Sequence, residues 1–203
     1  MHIPTAETET LDILPFAEAL AQSGRRGDYD AEKWLYVPDF YTEYRYILGT
    51  RGERPLICIG VNPSTAAPDA LDPTLQSVQR IAHSNGYDSF IMFNVYAQRA
   101  TSPDDMEKVC NPLLHRENLE AFRYVLSLSE HPVVWAAWGA IIEKRKYLPD
   151  CLRDMLLAGE EYGARWCCAG PVSRKGHPHH PLYLRKDEVL RPFDVKAYLD
   201  RLS

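Results

Sequence analysis

The chain has 203 residues, 45% of them hydrophobic and 25% charged, with a formal net charge of −5. This is the composition of an ordinary folded domain, and it excludes disorder, collagen-like repeats and coiled coil as the main theme. The negative balance excludes a globally basic nucleic-acid binder but not a locally basic groove, because charge is screened beyond about 10 Å.

Residues 1–43 read as an N-terminal arm and residues 44–203 as the main domain. In the arm, 11–21 has helical periodicity, with Pro15 acceptable only in a first turn. The stretch 28–44, with Tyr29, Trp34, Tyr36, Phe40, Tyr41 and Tyr44, is too apolar for a free linker, so the arm is expected to pack on the body. Residues 44–48 read as an edge strand. Residues 55–61 form a short continuous apolar run, as in a strand buried on both faces. A loop over 62–73, rich in Asn, Pro, Ser and Asp, leads into a helix over 74–85 that Asp72 caps and Gly86 closes. Residues 89–94 are a second buried strand, 97–104 a loop and 112–129 a helix. Residues 132–137 are a third strand, followed by Trp138-Gly139 and another helix, and 164–169 are a fourth. A loop over 170–180 and an amphipathic helix over 193–202 complete the chain. Strands alternating with helices through short connections predict an α/β fold. It is a three-layer α/β/α sandwich around a central four-stranded, mostly parallel sheet.

The longest apolar run, 133–142, is about half of what a bilayer crossing needs. No basic segment followed by an apolar one opens the chain, so neither a membrane partner nor a secretory leader is expected. The five cysteines (Cys58, Cys110, Cys151, Cys167, Cys168) are odd in number and contain no C-x-x-C pair. They read as reduced core thiols of a cytoplasmic protein. Between Arg165 and Arg191 basic residues outnumber acidic ones, and three histidines fall in the same stretch.

In parallel sheets ligands bind outside the carboxyl ends of the strands. The polar residues at those ends are Asn62-Pro63-Ser64-Thr65, Asn94 with Arg99, Trp138-Gly139, and the loop His177-Pro178-His179-His180-Pro181. The three histidines lack a Cys or Glu at the usual spacing to complete a metal site, so neither metal nor cofactor is expected.

This ordered set resembles the uracil-DNA glycosylase superfamily. Its first motif, Gly-x-Asp/Asn-Pro after an apolar strand, is matched by Gly60-Val61-Asn62-Pro63. An apolar strand ending in Asn is matched by Phe90-Ile91-Met92-Phe93-Asn94, and the following stretch to Arg99 and Thr101 is similar to the mismatch-specific branch. A strand closing in Trp-Gly is matched by Trp138-Gly139, and a His-Pro motif by His180-Pro181-Leu182. The chain also resembles a bacterial family of unknown function with an Asn-Pro-Ser-Thr-Ala loop and a His-Pro-Leu-Tyr motif. The resemblance spans about two-thirds of the chain.

It implies a monofunctional DNA glycosylase that flips a base out of DNA, hydrolyses its N-glycosidic bond and leaves an abasic site. Asn62 then orients the attacking water, and His180 stabilises the departing base anion, with His177 and His179 competing for that place. Asn94, Ser64 and Trp138 line the base site. Thr65, Arg99, Arg174, Lys175, His177 and His179 contact DNA, with Leu182 and Tyr183 as the wedge that enters the duplex. The strict uracil enzymes carry Tyr after the Asp-Pro pair, where its ring rejects a 5-substituent. Ser64 in that place implies a 5-substituted pyrimidine, by analogy the glucosylated hydroxymethylcytosine of phage DNA. No obligate protein partner is implied. A hydrolase of free modified nucleotides and a non-catalytic module that binds modified DNA remain as alternatives.

Overall fold

The structure is a computed structural model and describes residues 1–5 and 8–202. In chain order it contains helix α1 (Phe16–Gln22), strands β1 (Trp34–Val37), β2 (Ile47–Thr50) and β3 (Pro55–Gly60), helix α2 (Pro73–Ser84), strand β4 (Ser89–Asn94), helix α3 (Pro112–Ser127), strand β5 (Val133–Ala136), helix α4 (Leu148–Glu161), strands β6 (Arg165–Ala169) and β7 (Leu190–Pro192), and helix α5 (Val195–Leu202). The strands make one sheet in the order β1-β2-β4-β3-β5-β6-β7. No helix among the described residues is long and apolar enough to cross a membrane.

The expected α/β architecture is present, but the sheet has seven strands rather than four. The four continuous apolar runs form its parallel centre, β4-β3-β5-β6. Strand β2 joins β4 antiparallel, β1 joins β2, and β7 joins β6 on the far edge. Of these, β2 corresponds to the expected edge strand, while β1 and β7 are four and three residues long, too short for periodicity to mark them. Strand β2 also begins later than expected, because Tyr44 makes only a bridge to Gln98 and the Arg45 N–H donates to the Ala97 carbonyl (2.9 Å). The chain is tied to that loop before it enters the sheet.

Side chains alternate across the central strands. Ile57, Ile59, Ile91 and Phe93 pack in one core with residues of α1, α3, α4 and α5, while Leu56, Cys58, Phe90 and Met92 pack with α2. Each such fully buried apolar side chain contributes about 1.5–3 kcal/mol. The arm is part of this packing. Pro15 sits just before α1 rather than inside it, and Phe16 meets the rings of Tyr46 and Tyr124. Helix α2 starts as expected, with the Asp72 carboxylate accepting the Leu75 N–H and Pro73 in the first turn.

The connection β3–α2–β4 runs to one side of β3, and β4–α3–β5 passes back to the other. Helices therefore cover opposite faces, and the strand order reverses at β3. Loops leaving β3 and its neighbours diverge there, opening a crevice beyond the carboxyl ends of the strands.

Candidate functional site

Strand β3 delivers Gly60 and then Asn62 to this crevice. A Cβ at Gly60 would lie 2.6 Å from the Met92 Cε and 3.3 Å from the Asn94 side-chain amide, so a larger residue there would push the end of Met92 aside and crowd Asn94. The Asn62 amide donates from Nδ2 to the carbonyls of Ala100 (2.6 Å) and Pro63 (3.3 Å). That fixes the side chain and leaves Oδ1 as its remaining acceptor. Asn94, the last residue of β4, is 1% exposed. Oriented to satisfy its neighbours, its NH2 donates to the carbonyls of Asn62 (3.2 Å) and Phe93 (3.3 Å). Its own carbonyl accepts from Asn118 Nδ2 (3.0 Å).

After β5 the chain turns at Gly139, whose φ of 59° lies in the left-handed region that favours glycine. Trp138 just before it is fully buried and donates from Nε1 to the Tyr198 hydroxyl (3.1 Å), which also meets His177 Nδ1 (2.8 Å). After β6 the loop brings in His180, whose Nδ1 accepts the Leu182 N–H (3.4 Å). The neutral ring therefore carries its proton on Nε2. Burial holds the His180 pKa below the ordinary histidine value, against an opposing pull from Asp72. The group is thus a neutral N–H donor at pH 7.

Asn62, Ser64, Asn94, Trp138 and His180 line one cavity of about 230 Å³. This is smaller than the roughly 300–1,000 Å³ of pockets that take drug-sized ligands, and suits a small planar group. An apolar groove of about 340 Å³ adjoins it, sharing Ile141 and His180 and bordered by His179, Leu182 and Tyr183. A larger depression of about 550 Å³ is lined by Pro4, Thr5, Glu9, Gln98 and residues between Asp105 and Asn111, that is, by the N-terminal segment and one loop, the one after β4. The rim cavity is the candidate site because polar groups from four neighbouring strand ends converge there.

Thr65 and Arg174 are exposed outside the cavity. Lys175 is exposed and paired with Glu143 (3.0 Å). Leu182 and Tyr183 are 42% and 79% exposed, and His179 is half-buried. Two expected DNA contacts are corrected by burial. Arg99 is fully buried; it donates to the Ser64 carbonyl and the Tyr36 hydroxyl (3.0 Å) and lies 4.5 Å from the Tyr41 ring centroid. It clamps the 62–66 loop from behind and does not reach a phosphate. His177 is likewise buried, held by Tyr198, so of the three histidines His180 alone lines the cavity.

Two charged lining residues escaped the sequence reading of the site. Asp72, read only as a helix cap, also accepts the Ser64 hydroxyl (2.5 Å) and is the one carboxylate lining the cavity among the described residues. Arg45, on the inner wall, is 1% exposed. Burial and the like charge of Arg99 lower its pKa to about 9, which still leaves it charged at pH 7. Its signal was a lone charge within Tyr44-Arg45-Tyr46-Ile47-Leu48.

No curated protein and no solved structure matches the chain. The model of one family of proteins of unknown function does match it, over residues 45–182, which include every residue lining the cavity. The chain belongs to that family, DUF1643.

Proposed function

We propose that the chain is a DNA glycosylase that takes an extruded 5-substituted pyrimidine into the rim cavity, hydrolyses its N-glycosidic bond without a cofactor and leaves an abasic site. The observation that carries this reading is the convergence of Asn62, Asn94, Trp138 and His180, from four strand ends, on one small cavity with a neutral imidazole N–H at its edge.

Cleavage breaks the C1′–N bond. The electron pair leaves with the base, and water oxygen bonds to C1′ and loses a proton. An imidazole N–H stabilises the oxygen on which the departing base concentrates its charge. Asn62 Oδ1 positions water but takes no proton, so Asp72, the single carboxylate lining the cavity among the described residues, is assigned to receive it. Asn94 reads the pairing edge of the base, and Trp138 forms the packed wall beneath. Ser64, small and tied to Asp72, leaves the 5-position open; the glucosylated hydroxymethyl group that a role against phages would require would extend out of the cavity of about 230 Å³. Thr65, Arg174, Lys175, His179, Leu182 and Tyr183 are assigned to the DNA side, beside the apolar groove.

One observation favours a second reading, a hydrolase of free modified nucleotides. Cations near the rim are paired with acids, Lys175 with Glu143, Lys144 with Asp104 and Arg185 with Asp187, which weakens any field that would attract a phosphate backbone. Duplex affinity that falls steeply with salt supports the DNA substrate, and turnover of free nucleotides alone supports the rival. The test is incubation with duplexes carrying a panel of 5-substituted pyrimidines, followed by alkali. Strand cleavage at a modified position is the expected result. No cleavage of any duplex, single-stranded or paired, contradicts the proposal.

A further inference from the structure

Arg45 has fewer partners than its burial demands. Its one side-chain hydrogen bond among the described residues runs from Nη1 to the Ala66 carbonyl (2.9 Å), and its Nε–H has no partner. A guanidinium carries five donors, and buried polar groups in folded proteins are nearly always satisfied. Arg99 is also fully buried with an unpaired Nε, close enough to act on Arg45 as a like charge. Neither guanidinium forms an ion pair among the described residues. Asp72, the one carboxylate lining the cavity among the described residues, attracts Arg45 but is already engaged by the Ser64 hydroxyl and the Leu75 N–H, and Glu43, which attracts Arg99, is engaged by His2 and Thr5. Arg45, the guanidinium on the cavity lining, is thus a buried cation with no ion-pair partner among the described residues, and burying such charge without a counter-ion is costly.

We infer that the inner wall of the cavity is an anion subsite, in which Arg45 receives an oxyanion carried by a small planar molecule: a ring carboxylate or the deprotonated lactam oxygen of a heterocyclic base. The inference rests on the glycosylase reading only in taking this cavity as the substrate site. Under that reading the oxyanion is the one the base acquires as the C1′–N electron pair leaves with it. The subsite does not need the chemistry to occur, because a free planar anion can occupy it.

The test is calorimetric titration of the whole protein at neutral pH with orotate, barbiturate, uracil and inorganic phosphate. Orotate carries a ring carboxylate, barbiturate an acidic lactam without a substituent, and uracil neither. At least one of the two planar anions binds at least about tenfold more tightly than uracil, equivalent to about 1.4 kcal/mol. Which of them does so tells a substituent anion from a ring anion. Arg45→Met lowers affinity for the preferred anion at least about tenfold more than affinity for uracil, and Arg45→Lys keeps part of the preference. A purely structural role for Arg45, as the clamp on Ala66, would lower affinity for all ligands alike and would overturn the inference. If Arg45→Met does not fold, the wild-type comparison decides, and planar anions binding no better than uracil refute the subsite. Phosphate binding as tightly as orotate refutes the planar ligand. Orotate binding without excision from any duplex removes the glycosylase reading alone, and excision without anion preference removes the subsite alone.

Discussion

Asp72→Ala removes two hydrogen bonds in one step. The first is the N-cap of α2, where the carboxylate accepts the Leu75 N–H at 2.9 Å; such a cap is worth about 1 kcal/mol. The second is the acceptor of the Ser64 hydroxyl at 2.5 Å, worth roughly 0.5–1.5 kcal/mol for a group that keeps some access to water. Together they come to about 2 kcal/mol, and at about 2–4 °C per kcal/mol for a domain of this size Tm falls by about 4–8 °C. Asn caps helices as well as Asp does and its amide oxygen can still accept from Ser64, so Asp72→Asn changes Tm by no more than about 2 °C. It does remove the group assigned to take the proton from water, and turnover drops by about 10²–10⁴-fold. Thermal unfolding and single-turnover excision read the two effects separately. An Asn variant as unstable as the Ala variant refutes the capping argument. An Asn variant with wild-type turnover refutes the assignment of the base.

Three further outcomes follow from the same geometry. Ser64→Tyr places a ring at the mouth of the site and lowers excision of 5-substituted pyrimidines far more than of uracil; equal losses on both rule out the steric account. Trp138→Ala empties a fully buried indole site and removes the indole N–H bond to the Tyr198 hydroxyl. It costs about 3–5 kcal/mol, seen as a lower denaturant midpoint, and a midpoint near wild type contradicts the packing role. Burial holds His180 and His177 below the ordinary histidine pKa of 6.5. The unfolded rings therefore take up protons first, so stability is complete above about pH 6.5 and is lost as pH falls toward the folded values. The urea midpoint at pH 5.5 should lie below that at pH 7.5, with a smaller drop in His180→Gln; a midpoint that rises on acidification contradicts the assignment.

The parallel centre of the sheet was legible because its strands are continuous apolar runs buried on both faces, and their carboxyl ends placed Asn62, Ser64, Asn94, Trp138 and His180 around one cavity. Strands β1 and β7 were not, since an edge strand of three or four residues carries no period, and β1 lay in a stretch read as an arm. The charges were the least legible. Arg99 reads in the sequence as a DNA contact and Arg45 is a lone charge in an apolar run, and only the packing of Tyr36, Tyr41 and the 62–66 loop around them buries both. Asp72 was legible as a cap because capping is local. Its second role depends on Ser64, eight residues earlier, folding back onto it.

The most direct measurement is a crystal structure of the His180→Ala variant bound to a duplex carrying a 5-substituted pyrimidine. The account predicts that base outside the stack and inside the rim cavity, its glycosidic bond beside Asn62 and its pairing edge on Asn94. A base still stacked in the duplex, or DNA held on another face of the protein with the cavity empty, would contradict it.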